Sequence, residues 1–358
     1  MDIENDFLFR WYERQLLVEG MTRSFLLRLA EETFGHLWGA TEELTAELLI
    51  RSGLSGITRN FPRHRILPFY SPLIYRQKET MEFREGDGFK IEEDCGKKIV
   101  SFPHTLSIMF SPVIAGKVFS WLMNGSNEIS PICDLPLNLQ RASRKGRVMV
   151  VGAGGLGCPL IKILLDNGID DICIIEPGEI KLNNLHRQIL YDYGDVGLSK
   201  ASVIEKKIAQ RYSGVRVKIR KESFDPTLIK TEKPDVVVSC VDNYEARYLI
   251  NDSCYRNCVP FVDSAVENFG GYAMFRDKRM PCYRCFMGDN RKDTGAPKGI
   301  LSFVSYFGGM LEAAMVLTFL NTGMCGDEVF WFDLRKGKFE SVSFERREGC
   351  PVCSSAKR

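Results

Sequence analysis

Beyond residue 146 the chain alternates short continuous apolar runs with longer stretches in which apolar residues return every three to four positions. The runs at 147–151, 171–176, 216–220, 235–240 and 260–264 read as strands. The stretches at 157–167, 199–212 and 244–257 read as helices that bury one face. Strands and helices in this alternation predict an α/β fold, a Rossmann-like and mostly parallel sheet with helices on both faces. Near the end, 329–334 and 339–344 flank Arg335-Lys336-Gly337-Lys338, the pattern of a β-hairpin with a glycine in its turn. The apolar stretch 300–320 is long enough to span a membrane. It contains Ser302, Ser305, Gly308, Gly309 and Glu312, however, so it reads as a loop followed by a buried helix, and no membrane partner is expected.

The first 145 residues follow a different pattern. Segments 25–32 and 41–51 read as helices, a proline-rich stretch covers 62–72, and 89–91 with 97–102 form short strands that can pair. A helix over 113–123 ends at Asn124-Gly125. Together these predict a small α+β N-terminal module over 1–145, a linker at Ser143-Arg144-Lys145-Gly146, and a catalytic domain over 146–358.

Composition changes this picture only at the margins. The 48 Lys and Arg residues nearly balance 46 Asp and Glu residues, so no overall positive field favours nucleic acid, and none is expected as a partner. The opening Met-Asp-Ile-Glu-Asn-Asp lacks the basic start and apolar run of a secretory signal. A cytoplasmic location follows as an expectation, with the 12 cysteines reduced.

Candidate chemistry begins at Gly152-Ala153-Gly154-Gly155-Leu156-Gly157, between an apolar strand and a helix. Gly152, Gly154, Gly155 and Gly157 allow the sharp turn that brings backbone N–H groups and a helix N-terminus to phosphate. Glu176 stands 19 residues past Gly157, at the end of the next strand, where an acid accepts from ribose hydroxyls. This fingerprint does not by itself separate ATP from NAD or FAD. Asn184, Arg187, Gln188, Lys200, Asp242 and Asn243 fall near the ends of successive strands and favour a triphosphate, which needs cations and usually magnesium. Lys200 also reads as a solvated helix start, and Asp242-Asn243 as an ordinary helix cap. Cys282-x-x-Cys285 and Cys350-x-x-Cys353 have the spacing of two knuckles that close a tetrahedral structural zinc site. Most other cysteines, among them Cys158, Cys173, Cys240 and Cys254, read as small core residues.

These residues together resemble the ThiF/MoeB/HesA family, relatives of ubiquitin-activating enzymes. The likeness covers the glycine loop, Asn184–Gln188, Val196-Gly197-Leu198-Ser199-Lys200, Asp242-Asn243 with Arg247, and both cysteine pairs. It implies adenylation, with ATP and magnesium, of the C-terminal carboxylate of a small ubiquitin-like or sulfur-carrier protein, or of a precursor peptide. It further implies ribose binding by Glu176, phosphate contacts from Asn184, Arg187 and Lys200, and magnesium or catalytic duty for Asp242. Glu176 departs from the family's usual aspartate, and Gly178 stands where a second acid often occurs. Trp11-Tyr12-Glu13-Arg14-Gln15 resembles the opening of MoeB-like members, in which an arginine, here Arg14, reaches across a homodimer. Members that form a thioester carry a cysteine after the first zinc knuckle. In this chain the loop Arg291-Lys292-Asp293-Thr294-Gly295-Ala296-Pro297 has none, and Gly295 takes the aligned place. Transfer to an external nucleophile without an enzyme thioester is the resulting expectation, with Cys325 as the rival thiol. The N-terminal module has an MccB-like layout, resembling enzymes that place a peptide clamp before a ThiF-like domain. Arg59, Arg63, His64 and Arg65 could there meet an acidic peptide. Two other classes stay open, a NAD- or FAD-dependent oxidoreductase and a non-catalytic scaffold for a ubiquitin-like partner.

Overall fold

The computed structural model describes residues 14–15, 17–18, 21, 24, 40–52, 81–85, 90–94, 97–102, 111–124 and 141–354 except 297. The expected helix at 25–32, the proline-rich stretch and the Arg59–Arg65 cluster lie outside the described residues. In the N-terminal part, helix α1 (Ala40–Arg51) precedes strands β1 (Met81–Glu85), β2 (Lys90–Asp94) and β3 (Lys97–Phe102), and helix α2 (Ser111–Asn124) follows. β2 and β3 pair, as the sequence suggests, in antiparallel sense, and β1 adds a parallel strand on the other side of β3. The module is less separate than its sequence suggests. Leu48 and Leu49 of α1 and Val113 to Phe119 of α2 belong to the same buried core as the catalytic domain. The predicted linker is also docked, with Ser143 giving both its N–H and its hydroxyl to Asn321 Oδ1 at 2.7 and 2.9 Å.

The catalytic domain opens with β4 (Arg147–Val151), α3 (Gly157–Asp166) and β5 (Asp171–Ile175), then α4 (Lys200–Arg211), β6 (Arg216–Arg220), α5 (Thr227–Glu232) and β7 (Val236–Ser239). It continues with α6 (Tyr244–Arg256), β8 (Phe261–Glu267), β9 (Gly270–Arg276), α7 (Tyr283–Met287), α8 (Ser302–Thr322), β10 (Val329–Asp333) and β11 (Lys338–Val342). One eight-stranded sheet results, in the order β11-β10-β9-β8-β7-β4-β5-β6. β6, β5, β4, β7 and β8 are parallel, and β9, β10 and β11 extend the sheet antiparallel.

β4, β5 and β7 are buried almost throughout because helices cover both of their faces. β6, at the edge, alternates instead. Val217 and Ile219 pack on the core, while Arg216 pairs with Asp171, and Lys218 and Arg220 pair with Glu232. The apolar stretch after residue 300 forms α8, which is buried inside the fold along most of its length. The parallel strands run outward from β4 through β5 to β6, and then from β7 to β8 on the other side. This reversal opens a crevice at the carboxyl ends of β4 and β7, where open α/β sheets take their ligands.

Candidate nucleotide site and four-cysteine centre

The crevice is a cavity of about 920 Å³. Its floor is the glycine loop leaving β4. Gly152 has φ +97°, and a Cβ there would lie 2.7 Å from the Cys240 carbonyl oxygen. A Cβ on Gly157 would lie 2.1 Å from the Gly152 oxygen, so both positions exclude any side chain. Helix α3 starts without a side-chain cap, and the residues leading into it, Gly154, Gly155 and Leu156, line the cavity, so its positive end faces that space.

Glu176, just past β5, is buried and holds the loop from beneath. Its Oε2 accepts from the Ala153 N–H and its Oε1 from the Gly178 N–H, both at 2.7 Å. Lys200 Nζ lies 3.6 Å from Oε2. A Cβ on Gly178 would approach Glu176 Oε1 to 2.8 Å. The two departures from the family pattern therefore belong together, because the longer acid occupies the space that a side chain at 178 would need.

The segment after β5 supplies the cations. His186 is fully buried, with Nδ1 3.0 Å from the Asn183 carbonyl and Nε2 3.3 Å from Arg187 Nη1. Burial, with Arg187 alongside, holds its pKa well below the usual imidazole range. The neutral ring then donates from Nδ1 and accepts the Arg187 N–H at Nε2, which orients the guanidinium. Burial and the nearby charge of Arg14 push Arg187 down to about 10, and Asp242 offsets part of this. Two cations facing one enclosed space favour a polyanion there. Gln188 is buried with its Oε1 lacking a hydrogen-bond partner among the described residues, a second sign of a site shaped for a ligand.

Arg14 lines this same cavity. Its Nε donates to the Lys298 carbonyl at 2.9 Å, and its own carbonyl accepts from the Ile300 N–H at 3.2 Å. The resemblance implied an arginine from a partner subunit; here Arg14 reaches the cavity of its own chain, held there by these backbone contacts. Asp242 is exposed at the cavity wall, and its carboxylate makes no hydrogen bond among the described residues.

Two of the expected residues have amides already engaged in local structure. Asn184 does not line the cavity; its Oδ1 accepts from the Lys181 N–H at 3.3 Å and closes the short turn Leu182–Asn184. Asn243 lines the wall but is the N-cap of α6, its Oδ1 taken by the Ala246 N–H at 2.8 Å. Arg247 is structural, donating to both Asp263 oxygens and to the Ser264 and Val241 carbonyls at 2.6–2.7 Å. Sequence reasoning gave no role in the site to Ser305 and Lys298, which also line it. For Ser305 the signal was present, as a polar interruption of an apolar helix.

The four predicted cysteines converge. Cys282, Cys285, Cys350 and Cys353 hold their sulfurs within 4.8 Å of one another, with Cys282–Cys350 at 3.6 Å and Cys285–Cys353 at 3.2 Å. Thiolates around one tetrahedral zinc stand about 3.8 Å apart, so the set fits that ion and leaves no open position. Arg284, inside the first knuckle, pairs with Asp252 of α6 at 2.8 and 2.9 Å. From this anchor the chain continues over the cavity, where Asp293 accepts the Tyr244 N–H at 2.9 Å. Cys158, Cys173, Cys240 and Cys254 are buried as expected.

Fold and site define a Rossmann-type nucleotide-binding protein with a four-cysteine centre. The model of the ThiF family matches residues 127–352, and the chain belongs to that family. It is 31% identical over 234 residues to a sulfur carrier protein adenylyltransferase of Thermus thermophilus, covering 60% of this chain and 84% of that protein. The sulfur carrier protein ThiS adenylyltransferase of Escherichia coli is 26% identical, with 62% and 92% covered. To the adenylyltransferase and sulfurtransferase MOCS3 of Anopheles gambiae the identity is 31%, and the match spans 60% of this chain and 51%, about half, of that relative. Among solved structures, Escherichia coli MccB superposes with a TM-score of 0.53 at 23% identity, covering 60% of this chain and 67% of that one, a likeness of fold. Family membership displaces the dinucleotide oxidoreductase alternative.

Proposed function

We propose that the protein is an ATP- and magnesium-dependent adenylyltransferase acting on the C-terminal carboxylate of a small ubiquitin-like or sulfur-carrier protein, or of a peptide. The observation that carries this reading is the gathering of Arg14, Arg187, Lys200 and Asp242 around one glycine-loop cavity. A dinucleotide would have no use for so many cations.

The glycine loop and the start of α3 hold the phosphates, Lys200 is steered by Glu176, and Arg187 and Arg14 face the departing pyrophosphate. A carboxylate oxygen of the partner bonds to the α-phosphorus while the bond from that phosphorus to the bridging oxygen breaks. The pyrophosphate leaves with the electron pair, and the partner becomes an acyl-adenylate. Asp242, whose carboxylate makes no hydrogen bond among the described residues, would hold magnesium, which neutralises phosphate charge when bound. Excluding water and fixing the two reactants then suffice for the step.

Transfer proceeds from the adenylate to an external sulfur or nitrogen nucleophile. Gly295 lines the cavity with φ +71° and open space around it, and the loop bears no thiol. Cys325 lies outside the cavity lining, and burial pushes its thiol up to about 11. The N-terminal module serves to hold the partner or peptide, in a cytoplasmic homodimer.

Intact-mass measurement after incubation with MgATP tests the reading. A carrier ending in Gly-Gly, or a peptide encoded beside this gene, should gain the mass of AMP. If carriers and encoded peptides all emerge unmodified while ATP is bound, the adenylation reading is wrong.

A further inference from the structure

Helix α8 is apolar over most of its length, yet Ser305, Gly308, Gly309 and Glu312 recur along it at three- and four-residue spacing, which places them on one face. That face is pressed against the glycine loop. A Cβ on Gly309 would lie 2.4 Å from the Leu156 carbonyl oxygen, and one on Gly308 would lie 2.7 Å from Leu156 Cδ2. Ser305 Oγ is 3.1 Å from the place of a Gly155 Cβ. Glu312 completes the stripe and is fully buried. Its Oε1 accepts from Ser264 Oγ at 2.8 Å, and Cys240 Sγ is 3.3 Å from its Oε2. Cys240 in turn presses its carbonyl oxygen to 2.7 Å from the Cβ position of Gly152. A continuous chain of contacts thus runs from an acid in the core to the first glycine of the loop.

We propose that Glu312 is a positioning residue of the nucleotide site, acting on Gly152 through Cys240, and that its protonation state sets how tightly the loop takes a polyanion. This rests on the nucleotide reading above. The groups facing Glu312 are Cys240 beyond β7, Ser264 and Asp263 of β8, and Arg247 of α6. Arg247 does not serve as its counter-ion, because its donors are taken by Asp263 and by the Ser264 and Val241 carbonyls. Burial, with Asp263 adding to it, pushes the Glu312 carboxyl up to about 8 against the hydrogen bond from Ser264. At neutral pH the acid is therefore mostly protonated. Above that range it ionises and sets a buried negative charge beneath the phosphates. A carboxyl raised in this way favours the fold below the unfolded pKa, and that contribution is lost as pH rises through the folded value.

The test measures MgATP affinity and melting temperature at pH 7 and pH 9 for wild type and for Glu312→Gln, which keeps the shape and cannot ionise. Wild-type affinity should fall roughly tenfold relative to the variant between these pH values, as expected for one charge acting through the protein interior. The wild-type melting temperature should fall relative to Glu312→Gln over the same interval. Ser264→Ala gives an independent reading. Losing a hydrogen bond to the ionised form should move the wild-type midpoint to higher pH. An unchanged affinity ratio, or an unmoved midpoint in Ser264→Ala, overturns the proposal alone. Absence of MgATP binding by either protein at both pH values overturns the nucleotide reading, and this proposal with it.

Discussion

Two arginines flank the end of β7, and their surroundings differ in kind. Arg247 is fully buried with acceptors all around it: two carboxylate oxygens and two carbonyls. Arg187 is partly buried, faces Arg14, and among the described residues has only the Asn183 carbonyl and the neutral His186 ring as acceptors at hydrogen-bonding distance. Satisfied burial is what a fold needs, whereas an unneutralised cation in a cavity costs stability unless a ligand arrives. The contrast separates the part of the site that holds the sheet together from the part proposed above to take phosphate. Family resemblance alone covers both arginines without separating their roles.

The largest effect that sharpens this contrast is on stability. Arg247→Ala leaves Asp263 charged and unpaired in the core, and should cost about 3–5 kcal/mol of folding free energy in denaturant titration. A loss below about 1 kcal/mol would place Arg247 on the functional side instead. Arg187→Ala should do the reverse, with a melting temperature unchanged or raised and adenylation slowed at least about a hundredfold. Asp242→Ala should behave in the same way. A comparable loss of melting temperature in Arg187→Ala would erase the distinction.

The four-cysteine centre contrasts with both arginines, since it is closed and lies outside the cavity lining. Cys282→Ser should release zinc, lower the melting temperature and loosen the loop that Arg284 anchors over the cavity; retention of one zinc per chain would refute the assignment. A zinc tetrathiolate carries net negative charge. Buried Arg276, with Nε and Nη2 lacking hydrogen-bond partners among the described residues, supplies positive charge near Cys282 and Cys285. The smallest effects are expected at Asn184 and Cys325. Asn184→Ala should change adenylation by less than about threefold, because its amide serves its own turn. Cys325→Ala should leave transfer intact, and a thiol-sensitive adduct lost in that variant would restore the covalent route.

The glycine loop, the acid after β5 and the cysteine knuckles were legible because their grammar is local: fixed spacings that demand small, acidic or sulfur-bearing residues at known places along strand and helix. Strand β9 was not legible. It opens with Gly270-Gly271, residues that disfavour a strand by local propensity, yet a Cβ on Gly270 would lie 2.4 Å from the Phe332 oxygen and one on Gly271 2.2 Å from the Ala265 oxygen. Glycine is there for strands packed too closely for side chains, a tertiary cause that local propensity misses. The same omission hid the junction that carries the terminal hairpin into the main sheet. Asn184 is a different case. Its residue type matched the family pattern, but where its amide points is set by the turn it closes. The floor of the site was half legible, since the small and polar residues of α8 were visible as breaks in an apolar helix while their common face toward the loop was not.

The central claim is that the cations around the glycine loop serve a leaving pyrophosphate. Magnesium-dependent exchange of labelled pyrophosphate into ATP, with a carboxylate partner verified to bind, tests it most directly. Exchange should appear with partner and magnesium together, stop on chelation of magnesium, and fall at least about a hundredfold in Arg187→Ala. Near-wild-type exchange in that variant, or none from the wild type with a bound partner, would contradict it.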